Sequence, residues 1–292
     1  MKSPKLVVGI GEILWDIFES GKTLGGAPAN FAYHASRAGA EGLAISAIGR
    51  DTLGDDIVAL LEEKQLPALL QRNEQDTGTV RVSLDAGGSA RYVFPPNVAW
   101  DNLAFTDELR QVAATCDAAA FGTLAQRSEA SRTSIRAFLN AMPPEALRVF
   151  DVNLRQHFYS EALIRESLAL ADVLKINESE LTVLAEYFIP ENDGAFHPQK
   201  DAFLEAVFTA FPRLRYIVLS CGAEGSFAAT REGERSFVPA DKTIRVVDTV
   251  GAGDAFTATF TVAALEGKNL SEAHHLAAAR AEFVCSRAGA MP

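Results

Sequence analysis

Cysteine is scarce in this sequence, and long apolar runs are absent from it. Only 3 of the 292 residues are cysteines, and they are widely spaced without a Cys-x-x-Cys pair. This pattern predicts reduced thiols, mostly in the core of a cytoplasmic protein, and excludes a disulfide framework. No apolar run approaches the roughly 18 residues of a membrane-spanning helix. The first apolar segment is interrupted by Glu12 and Asp16, so it is predicted to be a buried strand and not a signal peptide.

Positive charge is also scarce. The chain has 27 lysines and arginines against 38 aspartates and glutamates, which gives a formal net charge of −11 at pH 7. A protein that binds nucleic acid or an acidic membrane surface would be expected to carry a basic face. We therefore expect small-molecule ligands and no nucleic-acid or membrane partner.

Short apolar segments alternate with helical patterns along most of the chain. With 48% hydrophobic residues, the chain can bury a large core. The alternation predicts an α/β fold, a three-layer sandwich in which helices cover both faces of a largely parallel, Rossmann-like central sheet. The predicted strands are 6–10, 43–48, 118–121, 147–150, 173–176 and 217–219, and the predicted helices include 29–38, 55–64, 128–141, 161–169 and 201–210.

One segment departs from this alternation. Residues 77–100 alternate apolar and polar side chains across a Gly-Gly pair, which predicts a β-hairpin. Together with 13–18 it predicts a small β-sheet that projects as a lid, formed by about 12–25 and 77–101. The whole chain, 1–292, is predicted to be a single α/β domain that carries this lid. Residues 190–199 are predicted to be a polar loop that the fold does not need.

A glycine-rich turn near the C-terminus is the most informative motif. A predicted strand ends at 246–247, Gly251-Ala252-Gly253 form a tight turn, and a helix is predicted over 255–265. Small residues let a ligand approach the backbone, and the unpaired N–H groups of a first helical turn bind anions. Beside this turn, Asp254 is placed to take a proton from a hydroxyl group that attacks a bound phosphoryl group. In the alternative interpretation, Asp254 is only the N-cap of the helix.

The same turn lacks the features of two common nucleotide motifs. No Lys-Ser or Lys-Thr pair follows Gly253, as a P-loop requires, and Phe256 stands where a dinucleotide fingerprint has its third glycine. The glycine pattern of this turn therefore excludes a nicotinamide-dependent reductase.

A second glycine cluster lies near the N-terminus. Gly25-Gly26 leads into a predicted helix with Asn30 in its first turn, and Asp16 ends a predicted strand. Backbone N–H groups, an amide and a carboxylate can all bond to the hydroxyl groups of a sugar. Further along, the polar segment 151–155 follows a predicted strand, at the position where open α/β sheets bind ligands.

The two glycine clusters resemble the signatures of the ribokinase, or pfkB-type, carbohydrate kinase family, and especially its bacterial fructokinases. The resemblance extends from residue 5 to the last residues and includes Asp248-Thr249-x-Gly251-Ala252-Gly253-Asp254, Gly25-Gly26…Asn30 and Asn97-Val98-Ala99-Trp100-Asp101. It implies a ribokinase-type fold and an ATP-dependent, Mg²⁺-requiring kinase. The implied reaction is γ-phosphate transfer to a hydroxymethyl group of a ketose, and D-fructose is the favoured substrate.

Other activities stay open. Within the family, 2-keto-3-deoxygluconate or another sugar is the alternative, although a sugar acid would need an added cation and none is obvious beside Gly25-Gly26. From a different class, the chain could be a sugar-binding regulator without catalysis. The intact Asp254 and Gly251-Ala252-Gly253 weigh against a regulator, because a sensor needs no base.

The resemblance also implies roles for single residues. It implies that Asp254 is the catalytic base. It also implies that the backbone of Gly251, Ala252 and Gly253 holds the charge that develops on the transferred phosphoryl group. The residues that it implies for the sugar and the transferred phosphate are Asp16, Gly25, Gly26, Asn30, Asn153 and Arg155.

Nucleotide and metal sites are implied in the same way. Glu180 would act on Mg²⁺ through water, and Asp248 would lie beside a monovalent cation such as K⁺. From the residues alone, Asn177 and Glu180 are equally well explained as a helix-capping pair. The residues implied for the nucleotide are Ser220, Gly222, Gly225 and Asn177.

The predicted lid carries two further expectations. In several members of the family the lid mediates dimerisation, so a homodimer through the lid is expected. Lys22, Arg91 and Arg127 are interpreted as ordinary surface or lid charges.

Overall fold

The structure is a computed structural model that describes residues 3–19, 21–84, 90–189 and 196–292. Most of the described strands form one nine-stranded sheet. Numbered along the chain, its strands are β1 (Leu6–Ile10), β4 (Glu41–Gly49), β5 (Ala68–Asn73), β8 (Ala118–Phe121), β9 (Leu147–Asp151), β10 (Val173–Asn177), β11 (Tyr216–Ser220), β12 (Gly225–Thr230) and β13 (Arg235–Pro239).

This sheet is largely parallel, as predicted. The strand order is β13-β12-β11-β10-β9-β8-β1-β4-β5. All pairs from β11 to β5 are parallel, and only β12 and β13 are added in antiparallel fashion at one edge. The carboxyl ends of the parallel strands therefore meet at one edge of the sheet, where ligands of such folds bind.

Helices cover both faces of the sheet. Val7 and Val8 are neighbours in β1, but their side chains point to opposite faces and join different hydrophobic clusters. The helices are α1 (Ala27–Arg37), α2 (Thr52–Glu63), α3 (Asp107–Thr115), α4 (Glu129–Ala141), α5 (Glu161–Leu170), α6 (Glu178–Phe188), α7 (Phe196–Ala210), α8 (Ala252–Leu265) and α9 (Leu270–Cys285). The cluster that contains Val8 includes residues of α3 to α7, and the cluster that contains Val7 includes residues of α1 and α8, so the predicted three-layer sandwich is confirmed.

A second, smaller sheet lies within the ranges predicted for the lid. Its strands are β2 (Leu14–Phe18), β3 (Gly21–Gly25), β6 (Thr79–Leu84) and β7 (Ala90–Val93), in the order β3-β2-β6-β7. The Gly87-Gly88 pair expected at the hairpin turn lies outside the described residues. Closure of this sheet over a ligand, dimerisation through it, and the treatment of 1–292 as one domain stay predictions.

Two local predictions are wrong. Residues 246–247 do not end a strand: Val246 and Val247 are 61% and 56% exposed, in an irregular segment. The backbone N–H of Val247 donates to the carbonyl of Cys285 at 2.8 Å, so this segment is held by the end of α9 and not by a sheet. The polar loop predicted at 190–199 is also too long, because α7 already begins at Phe196; residues 190–195 lie outside the described part of the chain.

The cysteines agree with the prediction of reduced thiols. All three are free; Cys116 and Cys221 are buried, and Cys285 is partly buried. Among the helices of the described residues, none combines the length and the apolar character needed to cross a membrane.

Candidate active site

Helix α8 begins directly on the glycine-rich turn. Its first residue is Ala252 and its N-cap is Gly251, which has a φ of 78° and makes no side-chain cap. Asp254 is therefore the third residue of the helix, and the helix starts three residues earlier than predicted. The interpretation of Asp254 as the N-cap is wrong, which leaves its carboxylate available for another role.

Gly251 is required by a close contact with the C-terminal residues. A Cβ atom at this position would lie 2.7 Å from the Cα of Ala290, and the positive φ also favours glycine. The C-terminal residues are held in place from two sides. Asp248 Oδ2 accepts from the N–H of Gly289 at 3.0 Å, and Nε2 of the buried His34 lies 2.8 Å from the carbonyl of Ala290. The C-terminal residues that contact Gly251 are thus held in place by Asp248 and His34.

The Asp254 carboxylate lies in a partly buried, acidic environment. The Nδ2 group of Asn30 donates to its Oδ2 at 2.7 Å. Loss of solvent, and then the charge of Asp151, raise the pKa of Asp254 to about 7, although Asn30, Lys175 and Arg155 act in the opposite direction. A carboxylate with a pKa near neutral pH is suited to accept a proton during a reaction.

Lys175 lies beneath the turn, a position that our sequence analysis did not assign. A Cβ atom on Gly253 would be 3.1 Å from its Nζ, and the same Nζ lies 3.3 Å from Oδ1 of Asp151. Burial lowers the pKa of Lys175, but the charges of Asp151, Glu180 and Asp254 outweigh this and raise it. The ammonium group therefore stays charged beside the glycine-rich turn. The signal in the sequence was a single lysine within the apolar strand β10.

Asp16 and the glycine pair lie together where the small sheet meets α1. A Cβ atom on Gly25 would be 2.5 Å from Oδ2 of Asp16, so a larger residue here would displace this carboxylate from its present position. Gly26, with a φ of 116°, is the N-cap of α1 and passes close to the carbonyl of Glu12. Burial raises the pKa of Asp16, and the charge of Arg155 opposes this. The predicted sugar-binding residues Asp16, Gly25 and Gly26 are thus brought together.

Asn153 and Arg155 follow β9 in the same region. Asn153 has a φ of 42° and lines a small cavity with Asp254. The exposed Arg155 acts electrostatically on the carboxylates of Asp16 and Asp254. One arginine therefore faces both the predicted sugar end and the predicted phosphate end of the site.

The residues predicted for the nucleotide lie at the ends of β10 and β11. Asn177 and Ser220 are register partners across these two strands. Gly222 has a φ of 50° in the short turn that follows. A Cβ atom on Gly225 would lie 2.1 Å from the carbonyl of Val238, so packing against β13 already requires glycine there. Nucleotide binding by these four residues stays a prediction.

Glu180 is a buried member of a capping box at the start of α6. Its Oε2 accepts from the N–H of Asn177 at 2.8 Å, and its Oε1 accepts from the N–H of Leu154 at 3.0 Å. Both bonds leave lone pairs for water, so the residue fits Mg²⁺ held through water better than direct coordination. Within the described residues no group of three or more acidic, histidine or cysteine side chains could hold a metal ion.

Like Glu180, Asp248 accepts hydrogen bonds from two backbone N–H groups. Its Oδ1 accepts from the N–H of Val250 at 3.0 Å, while Oδ2 accepts from Gly289. The structure thus joins the turn to the C-terminal loop, and the monovalent cation stays a prediction.

Arg127 is not an ordinary surface charge. Its guanidinium is bound by both carboxylate oxygens of Asp101, at 2.8 and 2.7 Å, and both side chains are buried. The pair connects the segment after β7 to the segment after β8. Lys22 forms an ion pair with Asp56 near the solvent, as expected of a surface charge, and the side chain of Arg91 lies outside the described residues.

Comparisons with known proteins identify the family of this chain. The model of the pfkB family of carbohydrate kinases matches residues 11–292. A fructokinase of Klebsiella pneumoniae is 32% identical over 247 residues, which are 80% of this chain and 74% of that protein. An uncharacterized sugar kinase from Pyrococcus horikoshii, solved in complex with ATP, superimposes with a TM-score of 0.81 at 25% identity and covers 98% of this chain and 94% of its own.

A second solved structure supports the fold alone. The fructokinase of Vibrio cholerae O395, in its form with fructose, ADP and calcium ion, gives a TM-score of 0.80 at 23% identity and covers 99% of this chain and 96% of its own. The family model spans nearly the whole chain, including both glycine clusters. This chain therefore belongs to the pfkB family of carbohydrate kinases, phosphotransferases that act on a sugar hydroxyl group.

Proposed function

We propose that the protein transfers the γ-phosphoryl group of ATP to a hydroxymethyl group of a ketose, and that it converts D-fructose to fructose 6-phosphate. The observation that carries this proposal is the Asp254 carboxylate. It lies in the first turn of α8, is held by Asn30 and has a pKa raised to about 7. A general base is most effective when its pKa lies near the working pH.

Asp254 takes the proton of the sugar hydroxyl as the sugar oxygen forms its bond to the γ-phosphorus. The bond from that phosphorus to the bridging oxygen of ADP breaks, and ADP leaves with the electron pair. Negative charge then spreads over the phosphoryl oxygens. The N–H groups at the start of α8 stabilise this charge, and the Lys175 ammonium beneath Gly253 adds to their effect.

Asp16 acts on the sugar, and Arg155 acts on the transferred phosphate. The Asp16 carboxylate accepts hydrogen bonds from sugar hydroxyl groups away from the reacting carbon, with the N–H groups of Gly25 and Gly26 beside it. Arg155 neutralises phosphate charge. Closure of the small sheet excludes water, which would otherwise accept the phosphoryl group.

Mg²⁺ would be held through water by Glu180, both of whose oxygens are fixed by backbone N–H groups. It would supply charge neutralisation for the phosphate groups of ATP. A monovalent cation such as K⁺ beside Asp248 would strengthen the same region.

Relatives from bacteria and from a plant support the preference for fructose. Proteins named fructokinase from Klebsiella pneumoniae, Salmonella typhimurium and Zea mays are 32%, 28% and 29% identical to this chain. The strongest competitor is 2-keto-3-deoxygluconate, because the charge of Arg155 acts on the sugar end at Asp16 and would also attract a carboxylate.

A coupled assay of ADP release with ATP and Mg²⁺ tests the proposal over fructose, ribose, glucose and 2-keto-3-deoxygluconate. We expect fructose to give the highest kcat/KM and the product to be the 6-phosphate by NMR. A higher kcat/KM for 2-keto-3-deoxygluconate would replace fructose as the substrate. Sugar binding without ADP release from any of the sugars would indicate a regulator.

A further inference from the structure

Glu12 is a buried acid that the mechanism above does not use. It lies between β1 and β2, and only 3% of the residue is exposed. Its Oε2 atom is buried and has no hydrogen-bond partner among the residues that the structure describes. A buried polar atom without a partner costs free energy, so a ligand or a water molecule is expected to bind it.

Glu12 shares a cavity with the proposed base. The cavity is lined by Glu12, Gly122, Asp151, Asn153 and Asp254, together with apolar residues such as Phe31. It offers about 20 Å³ to a water-sized molecule, which is room for one water molecule with several polar neighbours. The unpartnered oxygen therefore lies where a bound water molecule would also reach Asp254.

The charges around Glu12 favour its neutral form. Burial, followed by the charges of Asp254 and Asp151, raises the pKa of Glu12 to about 7, although the backbone N–H of Glu12 and the charge of Arg155 act in the opposite direction. Asp254 differs, because Asn30 and Lys175 also stabilise its ionised form, whereas Arg155 acts on both carboxyl groups. When one carboxyl group of such a cluster must keep a proton, Glu12 is the better candidate.

We propose that Glu12 is a positioning residue that works as a neutral carboxylic acid. Its Oε2 hydroxyl donates a hydrogen bond to a water molecule in the shared cavity, and this water molecule donates to the carboxylate of Asp254. The bond holds Asp254 in the orientation that accepts the sugar proton. When Glu12 ionises at higher pH, the donor is lost and turnover falls. This inference rests on the proposed function of Asp254 as the base.

Three variants test it through the dependence of kcat on pH. Glu12→Gln keeps a hydrogen-bond donor that cannot ionise. We therefore expect its kcat at pH 7 to be within about 3-fold of the parent, and we expect the fall of kcat at alkaline pH that ionisation of Glu12 causes to disappear. Glu12→Ala removes the donor and should lower kcat by about 10-fold to 100-fold at all pH values, with little change in KM for ATP. Ser46→Ala is the matched control, because it removes the buried bond from Ser46 Oγ to the carbonyl of Gly11, next to Glu12. It should leave the pH profile unchanged.

The outcomes separate this inference from the proposed function. Equal losses of kcat in Glu12→Gln and Glu12→Ala would mean that the ionised form matters, and an alkaline decline retained unchanged in Glu12→Gln would exclude Glu12 as its cause; either result overturns the inference. A second measurement does not need activity. At pH 7 the infrared difference between the parent and Glu12→Gln should contain the C=O band of a protonated carboxyl group, and its absence would also overturn the inference. If the parent phosphorylates no sugar, the proposed function fails, and the infrared result still decides whether Glu12 is neutral.

Discussion

The side-chain amide of Asn30 donates to Oδ2 of Asp254 at 2.7 Å, across 224 positions of the sequence. This bond lowers the pKa of Asp254 against the larger effects of lost solvent and of Asp151. Helix α1 thus sets the proton affinity of a group at the start of α8.

Asn30→Ala should move the acidic limb of kcat to higher pH. Without the amide, the pKa of Asp254 rises from about 7 to a higher value, so a smaller fraction of the base is ionised at neutral pH and the rate falls there. Given the strength of a hydrogen bond to a charged group, we expect a shift of about one unit, measured at saturating sugar. Asn102→Ala is the control, because the amide of Asn102 bonds only locally, to Asn97 and to the carbonyl of Val98. An unshifted limb in Asn30→Ala would show that the bond does not tune the base.

Asp254→Asn should nearly abolish turnover while fructose and ATP still bind. The amide keeps the shape of the side chain but cannot accept the proton, and loss of a general base costs about 10²–10⁴-fold. Steady-state kinetics and calorimetry measure the two effects separately. Turnover within a few-fold of the parent would remove Asp254 from the mechanism.

Asp16→Ala should weaken sugar binding far more than ATP binding. A carboxylate that accepts from sugar hydroxyls makes bonds worth about 1.5–3 kcal/mol each. Titration calorimetry with each ligand measures the difference, and Asp56→Ala, which removes an exposed partner of Lys22, is the control. Equal losses for both ligands would place Asp16 outside the sugar site.

Glu180→Gln should raise the Mg²⁺ concentration needed for the half-maximal rate, and excess Mg²⁺ should restore part of the activity. One negative charge fewer weakens the attraction for a dication even through water. Glu272→Gln is a close control, because Glu272 holds the same third position in the capping box of α9. Both variants should lose some thermal stability, but only Glu180→Gln should change the Mg²⁺ titration. Identical midpoints in the two variants would leave Glu180 with a structural role alone.

Gly251→Ala should damage both stability and turnover. An alanine at positive φ costs about 1–2 kcal/mol wherever it occurs, and at this position its Cβ would also strike Ala290. Gly267→Ala separates the two effects, since Gly267 has a φ of 80° and, among the described residues, no atom lies within 4 Å of the Cβ that alanine would add. We expect Gly267→Ala to lose stability through backbone strain alone, and Gly251→Ala to lose more stability and to lose kcat as well. Thermal unfolding and kinetics at pH 7 provide the comparison.

The sequence predicted those parts of the molecule that depend on local patterns. The alternation of apolar strands and helical segments predicted the parallel sheet, and the two glycine clusters indicated where Asp16 and Asp254 would lie. Val246 and Val247 misled the prediction because β-branched residues favour a strand only if a partner strand is available. Here the nearest backbone partner is the end of α9.

The roles of Glu12, Arg127 and Lys175 could not be predicted from the sequence. Each is a single charged residue whose surroundings are built from distant segments: Arg127 by Asp101, Lys175 by Asp151 and the turn at Gly253. A residue's burial and its charged neighbours are tertiary properties, and no spacing within one segment encodes them. The cap interpretation of Asp254 failed for a related reason, because Gly251 could adopt a positive φ and start the helix earlier.

The bond between Asn30 and Asp254 also has a consequence for the folding of the newly synthesised chain. During synthesis, N-terminal segments emerge first, so α1 and the Gly25-Gly26 pair are made long before α8. A nascent chain would hold Asn30 without its partner. Contacts of such sequence separation also form slowly in refolding. Recovery of kinase activity should therefore lag behind recovery of secondary structure, which makes turnover a stricter reporter of complete folding than circular dichroism.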